Sequence, residues 1–246
     1  MFTNRRLHCI ISGVIFMLLA TLQFSQASAA DKPKRIGAPS DEPIELVAPT
    51  GIINGTLLLP AKQNAVVNNK HGLPLVIIYA GSGPTDRDGN TARAAGKNDS
   101  LKMLALAFAE NSIASLRFDK RGVAKSADAG STEKDLRFDQ YVDDLSRRIK
   151  KMRTDTRFSR IIVAGHSEGS LIGMMAVATA KADAFVSVAG IARSAGEVLR
   201  TQLKPRLSAP LWDESERVLA ALESGKTVDD PLPHWRHFID RACSHI

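Results

Sequence analysis

Cysteine is nearly missing from this chain of 246 residues, with Cys9 and Cys243 its only two. A pair so placed is no disulfide scaffold, and the fold has to be held by packing. Collagen-like periodicity, sustained heptads, internal repeats and low-complexity tracts are also absent, which excludes fibrous architectures and wholesale disorder. Long apolar runs are lacking except at the extreme N-terminus. The charge excess is small, 33 Lys plus Arg against 26 Asp plus Glu, a formal +7. What remains is an ordinary composition, 44% hydrophobic and 24% charged, at a length ample for one self-sufficient core.

The N-terminal run reads as an export signal over residues 1–29. Arg5 and Arg6 make a positive start, residues 9–22 an apolar middle, and Ala27-Ser28-Ala29 a small-x-small cleavage site. The apolar middle is short for a bilayer span and gives way to Ser25 and Gln26, so no stable membrane anchor is expected. Cleavage after Ala29 removes Arg5, Arg6 and Cys9, which takes the formal charge to +5, leaves Cys243 alone and excludes an intrachain disulfide. The expected location is periplasmic or secreted. The densest basic run, Arg147, Arg148, Lys150, Lys151 and Arg153, ends a helical pattern that begins with Asp139, Asp143 and Asp144. Acid first and base last suits the helix dipole, so a solvated helix face is expected here, and no nucleic acid partner.

Short β-patterned runs at 44–47 and 52–59 flank the turn residues Pro49, Thr50 and Gly51, the form of an opening hairpin. The continuous apolar run 75–79 suits a strand covered on both faces. There follow helical spacing at Leu101, Leu104, Ala105 and Phe108, a strand at 113–118, and a helix with Tyr141, Val142, Leu145, Ile149 and Met152 on one face. A strand at 160–164, a helix at 167–181 and a strand at 184–189 complete the run. Buried strands alternating with amphipathic helices imply right-handed crossovers and a mostly parallel sheet. Past Gly190 the pattern turns helical. Residues 194–197 and 213–216 each have the capping-box form, opening two helices broken by Pro205 and Pro210, with Gly225 closing the second. No β-branched cluster lies between Ile191 and Ile246, so no further strand is expected there.

Gly165-His166-Ser167-Glu168-Gly169 fits G-x-S-x-G and sits between an apolar strand and a small-residue helix, the context in which that spacing carries chemistry. A sharp strand-to-helix turn lifts a serine hydroxyl above the sheet, and side chains two before and two after would strike neighbouring backbone. Ser167 is therefore the candidate nucleophile. A tetrahedral intermediate needs two donors for its oxyanion. The backbone N–H of Glu168, at a helix N-terminus, is one. The N–H of Ser82, between Gly81 and Gly83 in the loop after Tyr79, is the candidate second, while Asp86, Arg87 and Asp88 also suit the role of pinning that loop to the surface.

These residues resemble the α/β-hydrolase superfamily, in its serine aminopeptidase-like (S33-type) esterase branch, over residues 44–232. The resemblance rests on the loop Gly81-Ser-Gly-Pro-Thr-Asp-Arg-Asp-Gly-Asn90, and on 117–126, similar to a D-x-R-G-x-G-x-S segment with Ala124 where a glycine is expected. Residues 190–193 and 221–227 are similar to the branch's helical cap. Many hydrolases have His-Gly where this chain has Ala80-Gly81. The resemblance implies an α/β-hydrolase fold, a mostly parallel sheet with flanking helices over 43–190 and a helical cap over 191–232, incomplete at the C-terminal strands. It implies cleavage of carboxylic esters, or of amides, through an acyl-enzyme on Ser167. The substrate would be a small-molecule ester or peptide-like compound, and no cofactor or metal is expected.

In this fold the chain order is Ser, then Asp or Glu, then His, the last two on loops after further strands. Only 79 residues follow Ser167, and Asp213, Asp229, Asp230, Asp240, His234, His237 and His245 follow no strand-like run. The acid and histidine are thus expected to be missing and the activity impaired. Residues 233–246 resemble nothing in the family, whereas a one-base slip near Pro233 allows a family-like continuation, so a frameshifted or truncated reading frame is expected. Two other readings stand beside the hydrolase. One is an inactive pseudoenzyme or binding module on the same fold, and the other a membrane-attached interaction protein that retains its signal.

Overall fold

The turn residues at 49–51 do form a hairpin. In a computed structural model that describes residues 37–61, 72–91, 96–130, 135–226 and 228, β1 (Ser40–Ala48) and β2 (Gly51–Leu59) pair antiparallel, with Ser40 opposite Leu59 and Ala48 opposite Gly51. The expected export signal and aberrant tail lie outside the described residues. Four more strands follow, β3 (Leu73–Tyr79), β4 (Ala114–Phe118), β5 (Phe158–His166) and β6 (Ala184–Val188). The sheet order is β1-β2-β4-β3-β5-β6, with β4 antiparallel to β2 and every later pairing parallel. The mostly parallel α/β sheet anticipated from the alternating pattern is therefore present.

Helices α1 (Ser100–Glu110), α2 (Phe138–Arg153) and α3 (Glu168–Ala180) make the crossovers. They divide between the two faces as the strand alternation demands. Leu75, Ile77 and Tyr79 of β3 join Leu145, Ile149 and Met152 of α2 and Ile172 and Ala176 of α3 in one core cluster. The intervening Val76 and Ile78 join Ala105 and Ala109 of α1 in the other. This is why β3 reads as an unbroken apolar run. From β3 the chain moves outward to β4, then crosses back to β5 on the opposite side of β3. That reversal makes the carboxyl ends of β3 and β5 the topological switch point of the sheet, the place where open α/β sheets bind ligands.

Two expectations about helices need correction. The basic run of α2 is not one solvated face. Arg148 is fully buried, donates to the carbonyl of Ile53 at 2.9 Å and lies 4.4 Å from the Phe118 ring centroid. Burial draws its guanidinium pKa down to about 10, and its Nε and Nη1 have no hydrogen-bond partner. Position 148 follows Leu145 by three residues, so helical geometry turns it to the core. Second, residues 213–216 do not open a helix. Helix α4 (Ala195–Leu203) begins as expected, with Ser194 and Glu197 forming a reciprocal capping box. But α5 runs Ala209–Glu223 from an N-cap at Ser208, with Pro210 inside its first turn. Proline is tolerated there because the first turn's N–H groups have no helical acceptor, so it starts the helix rather than breaking it. Arg200 of α4 ties the two together through Glu216 at 3.0 Å and Glu223 at 2.7 Å. Among the described residues no helix is long and apolar enough to cross a membrane.

Candidate active site

Ser167 stands at the junction of β5 and α3 with φ 53° and ψ −119°, a conformation that L residues avoid and that costs about 1–3 kcal/mol. Its surroundings impose the strain. A Cβ on Gly165 would lie 2.2 Å from the carbonyl oxygen of Gly169, and one on Gly169 would lie 2.4 Å from the oxygen of Ala80. Neither collision can be relieved by rotating a side chain, because every nearest atom at Gly165 is backbone. The Ser167 N–H donates to Val188 O at the end of β6 at 2.9 Å, and its carbonyl accepts from Ser170 N at 2.9 Å. The corner is thus tied to β6 on one side and to the first turn of α3 on the other. Ser167 itself is half-buried.

The loop after β3 lies beside this corner. A Cβ on Gly81 would come within 3.4 Å of Ser167 Cβ and 3.0 Å of His166 Nδ1, so the two segments pack closely here. Gly83 has no such neighbour, and its φ of 76° is what calls for glycine there. Ser82 between them is exposed. Glu168 is the first residue of α3, so its N–H has no acceptor within the helix. Gly81 thus approaches Ser167 and His166 at this corner, and Glu168 follows Ser167 at the start of α3.

Charges hold the loop, as its acidic and basic residues suggested. Arg87 donates its main-chain N–H to Asp119 Oδ1 at 2.8 Å and its Nη2 to Oδ2 at 2.6 Å, while Nη1 reaches Thr56 Oγ1 at 3.0 Å. Asp88 pairs with Arg117 of β4, and Asp86 accepts from the N–H groups of Asp88 and Asn90 at 2.9 and 2.8 Å. Lys120, 5% exposed, donates Nζ to the carbonyl of Gly81 at 2.6 Å. Burial lowers the Lys120 pKa to about 8, against the opposing pull of the Glu168 carboxylate. The next residue, Arg121, forms a buried two-point pair with Asp144, at 2.5 and 2.6 Å. Ala124 takes φ 45°, a left-handed position that explains why a glycine is expected there.

Sequence reasoning missed Asp119 and Lys120 as anchors, because their partners lie 32 and 39 residues away and no local spacing marks them. No described base bonds the Ser167 hydroxyl. His166, the one histidine among the described residues, packs on Gly81, and Asp213 is exposed on α5. Asp229, Asp230, Asp240, His234, His237 and His245 lie outside the described residues. Among the described residues no group of three or more His, Cys, Asp or Glu could hold a metal ion.

Comparison with known proteins follows the same lines. Esterase EstD of Thermotoga maritima is 31% identical over 160 residues, which cover 64% of this chain. The chain spans 37% of the length of that relative. Among solved structures, the α/β hydrolase GrgF from Penicillium sp. sh18 is similar with a TM-score of 0.51 at 19% identity, over 82% of this chain and 65% of that one. XC6422 from Xanthomonas campestris, an α/β serine hydrolase without a lid, gives a TM-score of 0.45 at 22% identity over 63% of each chain. Residues 95–224, just over half of the chain, match the family described as serine aminopeptidase, S33. That stretch holds the Ser167 corner, the Asp119–Lys120 anchors and helices α4 and α5, and by it the chain belongs to the S33 serine aminopeptidase family of α/β-hydrolases.

Proposed function

We propose that this protein is a serine hydrolase that cleaves small carboxylic esters through an acyl-enzyme on Ser167. The backbone of Ser167 carries the reading. A residue with a Cβ is held at φ 53° between two glycines whose replacement would drive a Cβ into neighbouring backbone, an arrangement whose cost has a purpose if the hydroxyl must stand clear of the sheet. In the reaction, Ser167 Oγ attacks the ester carbonyl carbon and its proton passes to a base. The oxyanion is met by the N–H groups of Glu168 and Ser82. Collapse expels the alcohol, and water then hydrolyses the acyl-serine. The match to an esterase, EstD, supports the substrate class.

The reading includes weak turnover by this chain. The test is hydrolysis of p-nitrophenyl acetate beside labelling by a fluorophosphonate. The expected outcome is stoichiometric label on Ser167 and a slow hydrolysis that Ser167→Ala reduces to the buffer rate. Label without turnover above Ser167→Ala would favour a binding module on the hydrolase fold, and no label would overturn the proposal. Export is part of the same reading, and a mature N-terminus at Ala30 is its check, whereas a retained residue 1–29 segment would favour membrane attachment.

A further inference from the structure

We propose that Lys120 is a positioning residue for the oxyanion amide. Its buried ammonium fixes the Gly81 carbonyl and so aims the N–H of Ser82 toward the substrate oxygen at Ser167. This inference rests on the esterase reading above. The Gly81 carbonyl and the Ser82 N–H belong to one planar peptide group. In a trans peptide these two groups point in opposite directions, and no cis peptide is present among the described residues. Whatever grips the oxygen therefore sets where the hydrogen points. Lys120 Nζ grips it at 2.6 Å, and among the described residues no other hydrogen bond holds this peptide.

The local sequence leaves the peptide free to turn unless it is held. Gly81 and Gly83 flank an exposed Ser82, and Gly83 already sits at φ 76°. Lys120, by contrast, is firmly seated. It follows Asp119, whose carboxylate takes the N–H groups of Arg87 and Lys125 and the Arg87 guanidinium, and Arg121 after it is locked on Asp144. An ammonium buried at that point is costly, since an apolar side chain of the same length would fill the space without desolvating a charge. The Glu168 carboxylate offsets only part of that cost. The geometry gives the charge a use: Lys120, on an anchored segment, bonds the glycine-flanked peptide and orients its amide.

Two measurements decide. In p-nitrophenyl acetate hydrolysis, Lys120→Met is expected to lower kcat about 10- to 100-fold with KM nearly unchanged, because an amide misdirected from the oxyanion weakens the transition state and not substrate binding. Loss of Ser167 dependence would overturn the esterase reading. Full dependence on Ser167 with undiminished kcat in Lys120→Met would overturn this inference alone. The second measurement needs no turnover. Labelling glycine carbonyls with 13C and serine amides with 15N reports three Gly–Ser peptides, at 81–82, 130–131 and 169–170. The first is identified by its loss in Ser82→Ala. Its signal is expected to titrate with a midpoint at about 8 in the unaltered chain. In Lys120→Met that step should vanish although His166, which packs on Gly81, and Glu168, which acts on Lys120, remain. The same curve in both proteins overturns the proposal. Should Lys120→Met fail to fold, Lys120→Gln, which does not titrate, decides by the same loss or persistence of the step.

Discussion

The two walls of the site are held by opposite means. The serine wall, Gly165 to Gly169, is fixed by main-chain contacts that leave no room for side chains, with closest approaches of 2.2 and 2.4 Å to the missing Cβ positions. The loop wall, after β3, is fixed by charges on or just after β4. Asp88 meets Arg117, Arg87 meets Asp119 and Gly81 meets Lys120, at separations of 29, 32 and 39 residues. The nucleophile is thus placed by local sterics and its oxyanion amide by tertiary electrostatics. The first kind of placement is all or none, while the second can be loosened by degrees.

Gly165→Ala should break the comparison most sharply. The new methyl meets Gly169 O at 2.2 Å, Gly169 C at 2.6 Å and Ser170 Cα at 2.7 Å, all backbone. Urea unfolding followed by circular dichroism should show a loss of at least about 4 kcal/mol, or no soluble protein, since only displacement of α3 from β5 relieves the clash. A change below about 1 kcal/mol would mean that the serine wall yields as readily as the loop.

Asp119→Ala comes next. It strands the Arg87 guanidinium, 14% exposed, and removes the acceptor for two main-chain N–H groups. A cost of about 2–4 kcal/mol is expected, below the full penalty of a sealed ion pair because Arg87 can reach some water. The fold should survive while hydrogen exchange across 82–90 accelerates. Replacing both partners, Arg87→Met with Asp119→Leu, should return most of the stability, since no charge is then left buried alone. Hydrolysis should stay depressed, because the Arg87 main-chain N–H still lacks its acceptor. Recovery of both together would show that the loop needs only a filled space.

The same contrast explains what was legible beforehand. The corner at Ser167 is a five-residue pattern between a strand and a helix, and the atoms that exclude a Cβ at Gly165 and Gly169 are close in sequence or lie at the β3 end beside it. The sheet was legible for a similar reason, since the runs at 75–79 and 184–189 announce strands by composition. Burial was legible for the first, whose unbroken apolar run suits a strand covered on both faces, and not for the second. Val76 and Ile78 are almost fully buried, whereas Val186 and Val188 are 48% and 42% exposed, because β6 is the last strand of the described sheet. Composition marks a strand, but its position among neighbours decides how far it is covered. Arg148 shows the converse, a charge in a basic run that helical phase carried into the core. Lys120 and Asp119 were visible only as part of a family segment, because their work depends on which loop the sheet order lays across them.

Asp143→Ala is the mildest test and isolates burial as the variable. Asp143 and Arg147 on α2 pair at 2.7 Å, nearly the 2.6 Å of Arg87 with Asp119, and join the same two residue types. Here, however, the side chains are 50% and 46% exposed, against 1% and 14% in the loop pair. Each exposed ion keeps most of its hydration whether or not the pair forms, and ordering two long side chains offsets the Coulomb gain. The acid precedes the base by one helical turn, the better orientation, so a loss of about 0.3–0.5 kcal/mol is expected, diminishing in salt, with the rate of ester hydrolysis unchanged. If the loss matched that of Asp119→Ala, burial would not be what distinguishes the loop anchors, and their location under the candidate oxyanion amide would lose its explanation.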